Sequence, residues 1–85
     1  MKVEIYTKPS CSYCTAAKEA LTHYNVPYIE HRLDVNFTRQ TLLEKYPTAV
    51  TYPVVVVDGF FIGGYTELAE HLRKEFDTSR VYLAE

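Results

Sequence analysis

The sequence predicts an α/β protein: a four-stranded mixed sheet with helices on both faces, in the order β-α-β-α-β-β-α. Three observations lead to this prediction. Runs rich in Val, Ile and Tyr alternate with runs whose apolar residues recur at helical spacing. Two β-rich runs flank the pair Asp58-Gly59, which is a strong signal for a hairpin. Strands separated by a helix are expected to lie parallel in one sheet, joined by a right-handed crossover.

The first half of the chain is predicted to form a strand, a helix and a second strand. The first strand covers residues 2–7 and the helix covers residues 12–25. Lys18 lies off the apolar stripe of this helix, so we expect it on a solvated face. The helix ends before Pro27, because the residue that precedes a proline avoids helical backbone angles. The second strand then covers residues 27–33.

A second helix and the hairpin follow. Residues 34–36, Asp-Val-Asn, offer an N-cap for a helix over residues 37–46, which Pro47 ends. Four consecutive valines, Val54–Val57, suit a strand that is buried on both faces. Beyond the turn, residues 60–62 form the second strand of the hairpin.

A glycine pair, Gly63-Gly64, ends the hairpin and leads into the last helix, predicted for residues 65–76. Thr66 is the expected N-cap of this helix, and Glu67 stands in its first turn, where a carboxylate interacts favourably with the helix dipole. Backbone N–H groups at such a helix start can also hold an anion. The tail, residues 78–85, has no clear pattern.

Length and composition limit the functions that this chain can have. Its 85 residues make a single domain over residues 1–85. The formal net charge is −2 with both signs interspersed, so neither a nucleic-acid footprint nor a polybasic membrane patch is expected. No apolar run has transmembrane length, and the N-terminus lacks a signal-peptide core. We therefore expect a soluble, cytoplasmic monomer.

The residues that carry chemistry lie in the segment that joins the first strand to the first helix. It contains the only two cysteines of the chain, Cys11 and Cys14, in the spacing C-x-x-C. A strand–helix junction with this spacing is typical of a redox motif. Cys11 precedes the first helical turn, where unpaired backbone N–H groups, the helix dipole and the nearby Lys8 stabilise a thiolate. We expect Cys11 to be ionised at neutral pH and to act as the nucleophile. Cys14 should be more buried, have an ordinary pKa and act as the resolving thiol.

Two simpler interpretations of the cysteine pair remain open. The first is half of a zinc site, but a structural zinc site needs four ligands, and the three histidines are too far apart in the sequence to supply a second pair: His23, His31 and His71. The second is a pair of small core residues, although both cysteines of the chain falling in C-x-x-C argues against it. In a reducing compartment a lone cysteine pair favours catalysis over structure. His31 fits a strand residue near the surface better than a catalytic base.

Four local patterns occur in a specific order: Glu4-Ile5-Tyr6-Thr7-Lys8, Cys11-Ser12-Tyr13-Cys14, Thr51-Tyr52-Pro53 and Gly63-Gly64-Tyr65-Thr66-Glu67. Together they resemble the glutaredoxin family, in the thioredoxin-fold superfamily. The resemblance extends from residue 3 to about residue 76. It implies a thioredoxin fold and a dithiol enzyme that uses glutathione to reduce protein disulfides and glutathione mixed disulfides.

The resemblance also implies roles for individual residues. Pro53 would be a cis-proline that faces the cysteines, and the backbone of Tyr52 would pair with the cysteinyl part of glutathione. Thr66 and Glu67 would hold its γ-glutamyl end. Either Cys14 or glutathione itself would resolve the mixed disulfide. The glycyl carboxylate would meet the other predicted groove residues, Lys8, Tyr13 and Gln40.

Three residues depart from the family pattern. Ser12 stands where the dithiol motif usually has proline, Tyr52 where valine is usual, and Glu67 where aspartate is usual. Some family members with a small residue at the position of Ser12 bridge a [2Fe–2S] cluster between two subunits, using the first cysteine and glutathione. A cluster carrier is therefore a second hypothesis, in which Cys11 would be the ligand.

The resemblance leaves the electron donor and the client open. A redoxin reduced directly by thioredoxin reductase shares the fold, but such proteins carry a different segment in place of residues 63–67, so the sequence favours glutathione. Disulfide-containing or glutathionylated proteins are the expected partners, and ribonucleotide reductase is a common family client.

Overall fold

Four strands and three helices follow one another in the predicted order within residues 1–76, which are the residues that this computed structural model describes. Their bounds are β1 Val3–Thr7, α1 Ser12–His23, β2 Tyr28–Arg32, α2 Arg39–Lys45, β3 Val54–Val57, β4 Phe60–Gly63 and α3 Tyr65–Phe76. The bounds differ from the predicted ones by no more than two residues at either end. The predicted tail, residues 78–85, lies outside the described residues. In the described part of the chain, no helix has both the length and the apolar character needed to cross a bilayer.

The sheet has the order β2-β1-β3-β4, which confirms the predicted mixed sheet. The central strand β1 runs parallel to β2 and antiparallel to β3, so that Ile5 lies opposite Glu30 on one side and Val55 on the other. β3 and β4 form the predicted antiparallel hairpin, with positive φ angles at Asp58 and Gly59. The carboxyl end of β1 therefore opens between two neighbouring strands, and the cysteine loop leaves from that end.

Two apolar cores lie on opposite faces of the sheet. On one face, α1 and α3 pack against β1 and β3 through nine buried side chains: Val3, Ile5, Ala17, Leu21, Val26, Val55, Val57, Leu68 and Leu72. On the other face the core is smaller and contains Tyr6, Leu42, Ala49, Val54 and Val56, of which Leu42 belongs to α2. Alternate valines of β3 thus enter opposite cores, which explains why four in succession are apolar.

The predicted start of α2 is wrong. Thr38, not residues 34–36, caps the helix: its side chain accepts the Thr41 N–H, and the Thr41 hydroxyl accepts the Thr38 N–H in return. The earlier polar residues instead form a turn after β2. Asp34 has a φ of +62°, and the Asn36 side chain accepts the backbone N–H of Arg32 at 2.9 Å. Helical hydrogen bonds therefore begin only beyond that turn.

The predicted N-cap of α3 is also wrong. Thr66 lies inside the first turn, because the helix already begins at Tyr65. Gly64 precedes the helix, and its N–H donates to the Glu67 carboxylate at 2.8 Å. Glu67 thus satisfies a backbone donor that has no partner within the helix, as the acidic residue of a capping box does.

Both glycines before α3 stand where a side chain would collide. At Gly63, where φ is +129°, a Cβ atom would lie 2.6 Å from the Glu67 side chain. At Gly64 a Cβ atom would lie 3.3 Å from the carbonyl oxygen of Pro53. The glycine pair therefore lets the start of α3 approach the segment that leads into β3.

Replacing Gly63 by alanine should destabilise the fold, because its φ disfavours a side chain and the new Cβ displaces Glu67. We expect a loss of about 1–3 kcal/mol in the free energy of unfolding, measured by urea denaturation. Gly59→Ala is the matched control, since φ there is +86° but no atom crowds the Cβ position. Equal losses for the two variants would contradict the crowding at Gly63, and in a Glu67→Ala background the two losses should converge.

Candidate active site

Cys11 occupies the N-cap of α1. Its backbone is extended, with φ −117° and ψ 105°, and its side chain turns back to the helix, where Sγ accepts the N–H of Cys14 at 3.2 Å. A short loop brings it there from the end of β1, and Ser10 in that loop has a positive φ of 56°. The predicted position before the first helical turn is therefore confirmed. A helix start offers N–H donors and a positive dipole end, both of which favour a negatively charged sulfur.

Cys14 has a different environment from Cys11, although only two residues separate them. Cys14 is 3% exposed, whereas Cys11 is half-buried, and both are free thiols. The pKa of Cys14 is raised to about 11, first by burial and then by the hydrogen bond with Cys11, while the backbone of Lys8 and the charge of Lys18 oppose the increase. The predicted burial is correct and the predicted ordinary pKa is wrong, because an apolar environment penalises the thiolate.

A cleft of about 660 Å³ opens beside the two cysteines. It lies between the cysteine loop, the first turns of α1 and the end of β2. Besides the cysteines, its wall contains four charged and two apolar side chains that matter here: Lys8, Lys18, Glu30, Arg32, Leu33 and Val35. Of these six residues, only Lys8 was predicted from the sequence to lie at the site. Lys18 in particular is half-buried and lines this cleft, so the prediction of a solvated face for it is wrong.

Glu30 is the centre of the polar contacts in this cleft. Its Oε2 atom accepts the hydroxyl of Thr7 at 2.8 Å and the ammonium of Lys18 at 3.2 Å, and Arg32 Nε lies 3.7 Å away. Burial by itself would raise the pKa of the Glu30 carboxyl, but these three partners outweigh it and lower that pKa. A signal existed in the sequence, because Lys18 follows Cys14 by four residues and so shares its side of the helix.

Tyr52 and Pro53 lie before β3, and the peptide bond between them is cis, as the resemblance implied. The Tyr52 ring lies near two cations: Lys8 Nζ is 5.7 Å and Arg39 Cζ is 5.4 Å from its centroid. Both distances are within the range of cation–π attraction. Among residues 1–76, the buried Tyr52 hydroxyl has no hydrogen-bond partner. Arg39, the first residue of α2, is a further residue that the sequence analysis did not predict here.

The remaining predicted groove residues lie in three different surroundings. Tyr13 is 62% exposed, and its ring centroid lies 5.9 Å from that of Tyr65 in α3. Thr66 is exposed in the first turn of α3, and Glu67 is engaged with the Gly64 N–H. Gln40 lines a separate shallow groove with Arg39, Leu43 and Glu44, not the Cys11 cleft.

The part of the chain that the structure describes holds no group of three or more His, Cys, Asp or Glu side chains placed to bind a metal ion. His31 instead pairs with Glu4, with 3.1 Å between Nε2 and Oε1, and stacks on Tyr6. This agrees with the expectation that His31 is a strand residue near the surface.

Comparison with known proteins identifies the family. The family model described as Glutaredoxin matches residues 3–62. The chain belongs to the glutaredoxin family. Glutaredoxin-2, mitochondrial, from Bos taurus is 41% identical over 76 residues, which are 86% of this chain and 48% of that protein. The chain thus spans about half the length of this relative.

Other glutaredoxins match over more of their own length. Glutaredoxin 3 from Escherichia coli K12 is 36% identical over 66 residues, which are 78% of this chain and 80% of that protein. The crystal structure of glutaredoxin 1 from Francisella tularensis, complexed with cacodylate, superposes with a TM-score of 0.73 at 29% identity. That match covers 89% of this chain and 96% of the other. The family match and the superposition together show a thioredoxin-like fold, with the C-x-x-C cysteines at the start of α1.

Alkylation should distinguish the two sulfurs. In the Cys11→Ser variant, the rate of Cys14 modification by iodoacetamide should keep increasing well above pH 8.5, since only the thiolate reacts and burial raises the pKa of Cys14. Mass spectrometry after timed quenching measures the rate at each pH. A rate that is half-maximal near pH 8.5 and constant above about pH 10, as for a free cysteine, would contradict the effect of burial.

Glu30 should make the stability depend on pH. Its pKa is lowered by folding, so its carboxylate stabilises the native state above about pH 4.3, and this contribution disappears as the pH falls through the folded-state pKa. Urea denaturation should show that Glu30→Gln loses up to about 1 kcal/mol at pH 7 and little below pH 3. The exposed Glu19→Gln is the control and should show no such difference. A loss that is the same at both pH values would contradict the ionic contribution.

Proposed function

We propose that this protein uses glutathione to reduce protein disulfides and glutathione mixed disulfides, with Cys11 attacking and Cys14 resolving. The observation that carries the proposal is the hydrogen bond from the Cys14 N–H to Cys11 Sγ at the start of α1. A donor aimed at the sulfur favours the thiolate, which is the attacking form in thiol–disulfide exchange. Burial also supports the division of roles, because a substrate reaches the half-buried Cys11 before the buried Cys14.

The cations near Tyr52 and the backbone donors at the start of α3 support glutathione as the reductant. Glutathione is a small peptide with a net negative charge and a free carboxylate at each end. Lys8 and Arg39, both near the Tyr52 ring, offer positive charge for the glycyl carboxylate. The first turn of α3, with Thr66 and Glu67, is the proposed site of the γ-glutamyl end. Its ammonium would share the Glu67 carboxylate with the Gly64 N–H.

The roles proposed for the other groove residues rest on the resemblance to glutaredoxins more than on the geometry of the site. Tyr13 is exposed enough to cover a bound peptide, and we keep it in the proposed groove. Pro53 is buried beside Gly64, and the backbone of Tyr52 is the proposed partner of the cysteinyl part of glutathione. Gln40 has less support than Arg39, which replaces it as the α2 side chain near Tyr52.

Clients and compartment are part of the same proposal. The clients are disulfide-containing or glutathionylated proteins, with ribonucleotide reductase as the first to test because it is a common client of the family. The proposed compartment is the cytoplasm, where a reducing glutathione pool keeps the dithiol active.

A [2Fe–2S] cluster is a second candidate for the Cys11 thiol, favoured by Ser12 in the active-site turn. The structure is compatible with one ligand from each chain, since Cys11 presents its sulfur and Cys14 is buried. The other ligands would come from a second copy and from glutathione, so the loaded form would be a dimer. Anaerobic reconstitution with glutathione, followed by visible absorbance and size-exclusion chromatography, tests this. A colourless monomer would remove the cluster hypothesis.

A coupled assay tests the main proposal. The substrate is a glutathione mixed disulfide, and NADPH oxidation is followed with glutathione plus glutathione reductase, or with thioredoxin reductase alone. We expect turnover only in the first mixture. Turnover with thioredoxin reductase alone would identify a redoxin with a different electron donor.

Two single variants test the division of roles between the sulfurs. Cys11→Ser should abolish all turnover, because it removes the nucleophile. Cys14→Ser should retain reduction of the glutathione mixed disulfide, which needs one thiol, and lose most of the reduction of a protein disulfide, which needs two. The coupled assay with the two substrates measures both. Equal losses with both substrates in Cys14→Ser would refute the assigned roles. Thr22→Ser, on the exposed face of α1, is the control and should leave both activities unchanged.

A further inference from the structure

Thr7, Lys18 and Glu30 form a polar network in the wall of the cleft that also contains the two cysteines. A single carboxylate oxygen, Glu30 Oε2, holds the Thr7 hydroxyl at 2.8 Å and the Lys18 ammonium at 3.2 Å. Thr7 is only 4% exposed, and the side chains of Lys18 and Glu30 are 31% and 20% exposed. Solvent therefore screens this ion pair less than a pair at the open surface.

The fold places this network next to Cys14 from two directions. Lys18 follows Cys14 by four residues in α1, so the two side chains are neighbours on one helix face. Glu30 comes from β2, where it lies opposite Ile5 and therefore on the side of the sheet that α1 covers. The Lys18 ammonium thus contacts the Glu30 carboxylate in the cleft that Cys14 also lines.

The network matters because the resolving step needs Cys14 as a thiolate. Its burial disfavours that form, and the only compensation is positive charge or N–H donors nearby. The charged or titratable groups that share the cleft with Cys14 are Cys11, Lys8 and Lys18 on one side and Glu30 and Arg32 on β2. Of the three cations, Lys18 is the one on the same helix face as Cys14.

We propose that Lys18 is a positioning residue for the resolving step, and that Glu30 sets how much of its charge reaches Cys14. This inference rests on the proposed function, in which Cys14 resolves a mixed disulfide. In that step the Cys14 thiol releases its proton to water in the cleft. The thiolate attacks Cys11 Sγ, the Cys11–Cys14 bond forms, and the bond from Cys11 to the substrate sulfur breaks. That sulfur leaves with the electron pair and takes up a proton, so the substrate is reduced and the cysteine pair is oxidised.

The two partners of the ion pair should act in opposite directions. Lys18→Met removes the cation and disfavours the Cys14 thiolate, whereas Glu30→Gln frees the cation and favours it. In a Cys11→Ser background, we expect iodoacetamide to modify Cys14 about three- to tenfold more slowly in Lys18→Met at pH 8, and faster by a similar factor in Glu30→Gln. Lys18→Arg should restore most of the rate. Lys45→Met, on α2 outside the cleft, is the control and should change nothing.

The proposal is decided by whether the rate of Cys14 modification rises or falls in each variant. A role limited to stability would change both variants in the same direction, so equal signs, or no change in Lys18→Met, would overturn it. Thermal unfolding followed by circular dichroism establishes that each variant is folded. If Glu30→Gln does not fold, the comparison of Lys18→Met with Lys18→Arg still decides the outcome.

Turnover of the chain with both cysteines gives the second readout. In Lys18→Met the ratio of protein-disulfide turnover to glutathione mixed-disulfide turnover should fall, and the pH at which protein-disulfide turnover is half-maximal should rise. An unchanged ratio and pH profile would overturn the role in resolution. If the unsubstituted chain reduces no disulfide, the proposed function fails, while the alkylation rates still report on Lys18 and Glu30.

Discussion

The hydrogen bond from the Cys14 N–H to the Cys11 sulfur is the constraint on which the rest of the site depends. It makes Cys11 the cap of α1 and turns its side chain toward the helix end. Cys14, in the first turn, then points into the interior. A single turn of helix thereby gives two chemically identical side chains opposite environments, one polar and reachable and the other buried. The chemical asymmetry that a dithiol enzyme needs is already present in the backbone geometry.

The sheet order supplies the surroundings of that turn. Because β1 is central, the segments on both sides of it meet at its carboxyl end. Glu30 and Arg32 arrive from β2, and the cis Tyr52–Pro53 bond arrives from the segment before β3. The glycine pair before α3 removes the side chains that would hold that helix away from Pro53. The site is therefore assembled from four separate parts of the chain around one helix end.

The sequence was sufficient for features that depend on local pattern. Helical and alternating periodicity, the Asp58-Gly59 turn and the C-x-x-C spacing predicted the elements and the position of the cysteines. Features that depend on tertiary register were not accessible. The helical period places Lys18 four residues after Cys14, but the ion pair with Glu30 became visible only with the pairing of β1 and β2.

The other differences between the predicted and the observed structure occur at the starts of helices. Side chains of consecutive helical residues point about 100° apart, and the one from the first residue of α2, Arg39, lies near Tyr52. The cap at Thr38 depends on a turn formed by Asp34 and Asn36, and several residues in this segment could serve equally well as caps. The sequence therefore predicted that α2 exists but not where it begins, and it gave no reason to expect Arg39 beside Tyr52.

The small size of α2 links the site to the slow opening motions of the protein. This helix has seven residues and fully buries one side chain, Leu42, whereas α1 and α3 share the larger core. Hydrogen exchange should accordingly find its amides opening at a lower free energy than those of β1 and β3. Such an opening would withdraw Arg39, the first residue of α2, from the Tyr52 ring without unfolding the cysteine turn. One of the two cations at the Tyr52 ring would thus depend on a peripheral helix, whereas the other, Lys8, belongs to the cysteine loop.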